Sequence, residues 1–391
     1  MATLINQHPL YNILPVGQDV IFAVSNTSVV SSFTNVKFVA EVHISSTFAP
    51  NLNTSTDIVG TFKTTPNNAG VGMFDFRPII ESFVNADNLA RQGSAYKTVV
   101  NASETNVPLH LIDKYSGNIN SMRYLAIRFK IEYIDAAGDL ITTGIEDSDL
   151  YQIFNGYLKY TDILDLDAND FGYDLTDFEI GTNQKKFLTN APIIQYANGG
   201  DYGTLSFFTL SPTMADDAYT VKFKYYNSSG VIQGTENVNR ATLNGAYDGY
   251  NGYIGMELLY FGCFPANLRN WASDFKTLYN AGTLDGGYYT IQLLSNAAFE
   301  DPTTQTYTIN INCPTLKGYE PIRLCWLNQW GVWDYYTFTM KSSKTISTKG
   351  STYQQLAGSW NESAYRIDSF KGGKKAFRVN ATEKITMNTD F

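Results

Sequence analysis

Along this chain short apolar runs rich in β-branched and aromatic residues, some of them alternating with polar positions, dominate the pattern, and in a strand successive side chains go to opposite faces. Asp19–Ser25, Val36–Ile44 and Met122–Tyr133 carry the β-branched and aromatic enrichment of strands. The third leads through Asp135-Ala-Ala-Gly138 into Asp139–Thr143, which predicts a hairpin. Ala218–Tyr226, followed by Asn227-Ser-Ser-Gly230 and Val231-Ile232, echoes it. The pair RFKIEYIDAAGDLI and KFKYYNSSGVIQ suggests two sandwiches of related design. His43 alternates with Val42 and Ile44, which predicts a ring pointing to solvent.

Helical spacing is confined to short stretches. Asp75–Val84 begins with an N-cap aspartate and a first-turn proline, and Ile79, Ile80, Phe83 and Val84 line one face. A second helix is predicted over about Pro265–Tyr279, where Leu268, Trp271, Phe275 and Leu278 recur, with Gly282 closing it. Both read as lids on sheets. The fold class expected is mainly β, with two or three β-sandwich-like domains and a few short helices. A chain of 391 residues has room for that many. Boundaries in the acidic, loop-like region after Glu146 and near Cys313-Pro314 divide it into residues 1–150, a middle β-rich domain 151–313, and a C-terminal hairpin domain 314–391.

The densest apolar patterning lies late. Leu324–Met340 places Trp326, Trp330, Trp333, Tyr335, Tyr336 and Phe338 around one Asn328-Gln-Trp-Gly331 turn signal. Alternation puts Leu324 and Trp326 on one face with Tyr336 and Phe338, and Arg323 and Cys325 on the other with Trp333 and Tyr335. One face belongs to a core. The other is either buried as well or offered to a partner, since Trp, Tyr and Arg dominate interface hot spots. The expected interface residues are Arg323, Trp330, Trp333 and Tyr335, with Tyr247, Tyr250 and Tyr253 of the Tyr/Gly-rich loop Gly245–Gly255. Ala376–Phe391 reads as two strands around Ala381-Thr-Glu-Lys384, and the chain stops while still strand-like.

Only 17% of residues are charged and 14% are aromatic, against roughly 25% charged in an average soluble domain. The net charge of −9 is unevenly spread. Glu146–Glu179 is strongly acidic, whereas Lys341–Phe391 is basic and includes Lys374 and Lys375. This asymmetry suggests a basic tail that meets an acidic surface on the next copy of the protein. A net acidic chain makes nucleic acid a poor primary partner. Cys263, Cys313 and Cys325 lack CxxC spacing and read as thiols of a reducing cytoplasm. The N-terminal segment has no basic region and its apolar run is broken by Pro15, Gly17 and Asp19, so no signal peptide is expected. No apolar stretch reaches the length of a membrane span.

Motifs for catalysis are missing from the pattern. His8, His43 and His110 are scattered, and GxSxG, P-loop and dinucleotide fingerprints do not occur. Asp165, Asp167 and Asn169 resemble the start of a calcium loop, but Asp170 and Thr176 stand where an EF-hand needs Gly and Glu. Asp334 beside Trp333, or Glu257 beside the Tyr/Gly loop, is the best carboxylate a glycosidase reading can offer. The expectation is a non-enzymatic protein with no cofactor and no resident metal.

The runs IRLCWLNQWG, WDYYTF and ITMNTDF, together with VKFVAEVHI and GMFDFRPIIESFV, resemble virion structural proteins. These belong to tailed phages of Bacteroidetes and marine bacteria, crAss-like phages included. That resemblance implies a tail, baseplate or head–tail component built of β-sandwich domains. It would be made in the host cytoplasm and contact copies of itself and other virion proteins. The alternative within the same setting is a receptor-recognition protein that stacks Tyr and Trp on host glycans.

Overall fold

The computed structural model describes residues 3–46, 50–90, 106–159, 164–167, 170–180, 185–209, 220–239, 257–294, 304–311, 319–355, 358, 361–366 and 373–389. The chain is mainly β, in several separate sheets with a few short helices. The first strands are β1 (Leu4–Gln7), β2 (Ile13–Pro15), β3 (Ile21–Ser25), β4 (Thr34–Ser45), β5 (Ile58–Thr64) and β6 (Val71–Asp75). There follow β7 (Tyr115–Gly117), β8 (Met122–Ile134), β9 (Leu140–Asp147) and β10 (Tyr151–Phe154). A sheet ordered β1-β3-β6 faces one ordered β2-β10-β8-β4-β5, to which β9 adds through β8. Between them Phe22, Phe38, Phe74, Phe76, Phe129 and Tyr151 form a closed aromatic core.

A second sandwich is built from β11 (Leu164–Asp167), β12 (Asp170–Tyr173), β13 (Glu179–Ile180), β14 (Ile194–Ala197), β15 (Thr204–Thr209) and β16 (Thr220–Tyr226). It continues with β17 (Ile232–Asn239), β18 (Glu257–Gly262), β19 (Tyr288–Leu294) and β20 (Tyr307–Ile311). The order β13-β15-β18-β7 faces β14-β20-β19-β16-β17, while β11 and β12 pair separately. Its core holds Phe207, Phe223, Tyr225, Phe261 and Tyr289. The expected division at residue 150 needs revision. It falls inside one sheet, because β10 pairs with β8, and β7, far upstream, is an edge of the second sandwich through β18. Residues Met1–Asn312 with Cys325–Tyr336 form one compact unit, and Cys313–Leu324 with Thr337–Phe391 another.

One turn accounts for the internal echo. In Asp135–Asp139 and Asn227–Val231 the first residue accepts two backbone N–H bonds on its side chain, from the residues two and four positions on. Its carbonyl accepts the glycine N–H in both, and Gly138 and Gly230 have φ +90 and +76. Asn67–Val71 and Asn328–Val332 repeat the same bonds, with Gly70 and Gly331 at φ +74 and +71. An Asx side chain replaces the missing backbone acceptor, and glycine takes the left-handed φ that closes the turn. Turn chemistry shared by four loops explains the match without duplication.

Both helical stretches form, though divided. Arg77–Ile80 (α2, following α1 at Thr27–Ser32) has Phe76, not the expected Asp75, at its N-cap, while Asp75 Oδ1 just before it accepts from the Arg77 N–H at 2.9 Å. The second splits at Ala272 into α3 (Pro265–Trp271) and α4 (Ser273–Asn280). The Glu236 carboxylate from β17 accepts from Ser273 Oγ and the Asp274 N–H, each at 3.1 Å, and so restarts the helix. Gly282 (φ +73) then ends α4 with paired bonds, Gly282 N–H to the Tyr279 carbonyl and Thr283 N–H to that of Leu278.

His43 is a correction. It is wholly buried, because β4 lies inside the sheet between β5 and β8 and is covered on both faces. Neither ring nitrogen has a hydrogen-bond partner. Burial lowers its pKa below 6.5, with Glu41, Arg128, Asp57 and Asp147 as the charges around it.

Candidate interaction surface

The aromatic hairpin folds as its alternation predicts, with β21 (Ile322–Leu327) and β22 (Trp333–Phe338) joined by the Asn328–Gly331 turn. Its tip, however, is core. Trp330 is buried against Phe178, ring centroids 4.2 Å apart, and Tyr335 packs against Phe264 at 5.5 Å. Trp333 is half-buried and donates from Nε1 to the Asp87 carbonyl at 2.7 Å. Backbone bonds tie the turn down as well, from the Tyr157 N–H to the Gln329 carbonyl at 2.7 Å. A side chain at Gly331 would collide with the Asn155 carbonyl. Trp330, Trp333 and Tyr335, expected to meet a partner, are therefore occupied within their own unit.

Asp334 explains why the tip is held so firmly. Its carboxylate accepts from Thr189 Oγ1 (2.6 Å), the Asn190 N–H (2.7 Å), the Ala191 N–H (3.2 Å) and Asn328 Nδ2 (3.0 Å). Burial raises its pKa from 3.8 and these donors pull it back. A carboxylate so engaged is a structural acceptor, not one wall of a sugar cleft. Arg323 is half-buried and donates to Thr337 Oγ1 at 3.0 Å.

The C-terminal tail offers the opposite picture. Strands β23 (Ser343–Gln355) and β24 (Gly373–Thr386) pair antiparallel over their whole length. The sequence predicts a turn at Ala381–Lys384, but β24 runs straight through it, because β23 supplies continuous partners there, Thr348↔Ala381 and Thr345↔Lys384. Every residue of the two strands is exposed except Gln355, which is half-buried. Lys344, Lys349, Lys374, Lys375, Arg378 and Lys384 stand against Glu383 as the one acid. Glu383 pairs with Lys344 across the strands at 2.5 Å.

Register and pleat sort these side chains. From the pairs Lys344↔Ile385, Ile346↔Glu383, Thr348↔Ala381 and Gly350↔Val379, one face carries Ile346, Val379, Ala381 and Ile385, with Thr348 and the Lys344–Glu383 pair among them. A bulge after Ser351 leaves Phe377 on that face beside Ala376. The other face carries Thr345, Ser347, Lys349, Ser351, Tyr353, Lys375, Arg378, Asn380, Thr382 and Lys384. The apolar face is open to solvent: Ile346 is 60% exposed, Phe377 77%, Val379 63% and Ile385 43%. These four residues were missed in the sequence. The alternation from Phe377 to Ile385 marks them, but Ser343–Gln355 is too rich in Ser, Thr and Lys to announce itself as their partner strand.

Tyr247, Tyr250 and Tyr253, and Asn169, lie outside the described residues. Asp165 accepts from Tyr11 Oη at 2.7 Å, which pushes the tyrosine pKa up to about 12, and Asp167 pairs with Asp170 at the end of the β11–β12 hairpin. Among the described residues no group of three or more His, Cys, Asp or Glu is placed to hold a metal ion, and no helix is long and apolar enough to cross a membrane.

No family model and no curated protein matches the chain. Among solved structures, the calcium-binding domain CBD12 of CALX1.1 aligns at 8% identity and TM-score 0.20, covering 80% of this chain and 100% of that one. The native conformation of E. coli alpha-2-macroglobulin aligns at 8% identity and TM-score 0.20, covering 96% of this chain and 20% of that one. At such scores neither likeness carries a structural or functional assignment.

Proposed function

We propose that this chain is a structural protein of a phage virion, a tail, baseplate or head–tail component that works through contacts between subunits. The observation that carries the reading is the two-stranded ribbon of β23 and β24, exposed on both faces and apolar on one. A lone two-stranded ribbon is marginal in water, and an uncovered apolar face of this kind marks a partner site. The resemblance of IRLCWLNQWG, WDYYTF and ITMNTDF to phage virion proteins supplies the setting. The engagement of Asp334 by four donors inside the core removes the leading carboxylate of the glycosidase reading. The test is quantitative peptide mass spectrometry on purified particles. The chain is expected at several copies per particle, in fixed ratio to the other virion proteins. Its absence from purified particles would overturn the reading.

A further inference from the structure

The ribbon's apolar face carries its own specification of what covers it. Along β24 that face reads Lys374, Ala376 with Phe377, Val379, Ala381, Glu383, Ile385. From Lys374 to Glu383 the row is symmetric in position about Val379, with a base at one end, an acid at the other, a bulky ring on one side of the centre and a small side chain on the other, and Ile385 lies beyond it. Reversed and laid on itself, it places Phe377 over Ala381 and Lys374 over Glu383, with Val379 meeting Val379. Large side chains then fall opposite small ones, as packed sheets require, and the one acid of the ribbon, already paired with Lys344 of its own ribbon, meets a second base. The same reversal applied to β23 sets Thr348 over Thr352 and leaves no like charges apposed at the centre. The opposite face, with Lys349, Lys375, Arg378 and Lys384, repels a copy of itself, so only one face can be shared.

We infer that the ribbon is closed by the ribbon of a second copy, apolar face on apolar face, about a two-fold axis passing at Val379. This rests on the assembly reading above and names its partner. The contact is isologous, as a two-fold interface must be. It leaves two basic outer faces free for further acidic surfaces. A face about 45 Å long and two strands wide is smaller than the roughly 800 Å² that each partner gives to a standard interface, so a micromolar dimer is expected.

Sedimentation equilibrium of the full chain from about 1 to 100 μM tests this. The wild type is expected to pass from monomer to dimer across that range, and Val379→Asp to remain monomeric. Glu383→Lys and Lys374→Glu are each expected to weaken the dimer about tenfold by placing like charges together. The double charge swap is expected to restore it to within about twofold. A urea transition unchanged from wild type establishes that each variant keeps its folded body. A dimer that survives Val379→Asp, or a double swap no better than the single variants, overturns the pairing. A wild type that stays monomeric yet is present in purified particles also overturns it, because a different virion protein then covers the face while the assembly reading stands. A dimer formed by a chain absent from particles sinks the assembly reading and leaves the pairing intact.

Discussion

The tip of the aromatic hairpin and the C-terminal ribbon are both antiparallel β pairs with alternating side chains, and they end in opposite environments. At the tip, Trp330 and Tyr335 are 4% and 5% exposed, and even the turn is tied to neighbouring loops. In the ribbon, Phe377 is 77% exposed. The richer aromatic surface is hidden, while the plainer, more polar one is offered to solvent. Aromatic density alone therefore does not locate a partner site. Tyr and Trp bring polar atoms that must be satisfied when buried, and the tip supplies those partners internally, as the Trp333 bond to Asp87 shows. The ribbon has no such internal provision, so its apolar face can be covered only from outside the strands that form it.

The largest expected effect follows from the buried side of this contrast. Trp333→Ala with Tyr335→Ala removes two rings that pack on the second sandwich's core. Each such truncation is expected to destabilise by about 3 kcal/mol or more, so that together they approach the whole of an ordinary domain's stability of about 5–15 kcal/mol. Urea denaturation monitored by tryptophan fluorescence should show a strongly shifted or absent transition. A variant that keeps the wild-type midpoint but loses self-association would return the tip to the role of an interface.

Much of the fold was readable in the chain. The runs rich in β-branched and aromatic residues at Asp19–Ser25, Val36–Ile44 and Met122–Tyr133 sit within β3, β4 and β8 or extend only a residue or two beyond them, and the Asn328–Gly331 turn closes the hairpin it predicts. What could not be read was which face is covered. His43 and Phe377 occupy the same kind of alternating position, yet one is sealed between β5 and β8 and the other is open. Alternation reports the pleat, whereas burial depends on segments distant in sequence. The place of β7 in the second sandwich and of β10 in the first was hidden for the same reason, since the β7–β18 and β2–β10 pairings join residues more than a hundred positions apart and leave no local signature. The ribbon was half visible, in its basic charge and in one of its two strands.

His43 gives the buried extreme a pH signature. Its folded pKa lies below 6.5 while the unfolded chain titrates near 6.5, so as pH falls the unfolded state takes up the proton first. Stability is therefore unaffected above about pH 7 and is lost as pH falls from 6.5 toward the folded value. One proton limits the slope to about 1.4 kcal/mol per pH unit. His43→Leu removes two unpartnered ring nitrogens along with the titration, and is expected to be neutral or mildly stabilising at pH 7. Denaturation midpoints for the two proteins should diverge only on the acid side. Parallel midpoints down to pH 5 would mean that the ring is solvated after all.

The smallest expected effect is the most discriminating. Phe377→Ala truncates an aromatic residue as large as those at the tip, in a strand of similar patterning. If the ribbon is uncovered in the single chain, no cavity forms and little apolar area returns to water. The urea midpoint in dilute solution should then move by less than about 0.5 kcal/mol, the range of ordinary surface substitutions. At concentrations where copies associate, the same variant should weaken association, because the ring is then lost from a covered face. A loss of several kcal/mol at high dilution would show instead that Phe377 is packed within its own chain. The contrast between tip and ribbon would then collapse, since both would be core, and the covering of β24 would have to be sought inside the monomer. Concentration is therefore the variable that separates the two cases: a core residue destabilises at every concentration, and an interface residue only where there is a partner to lose.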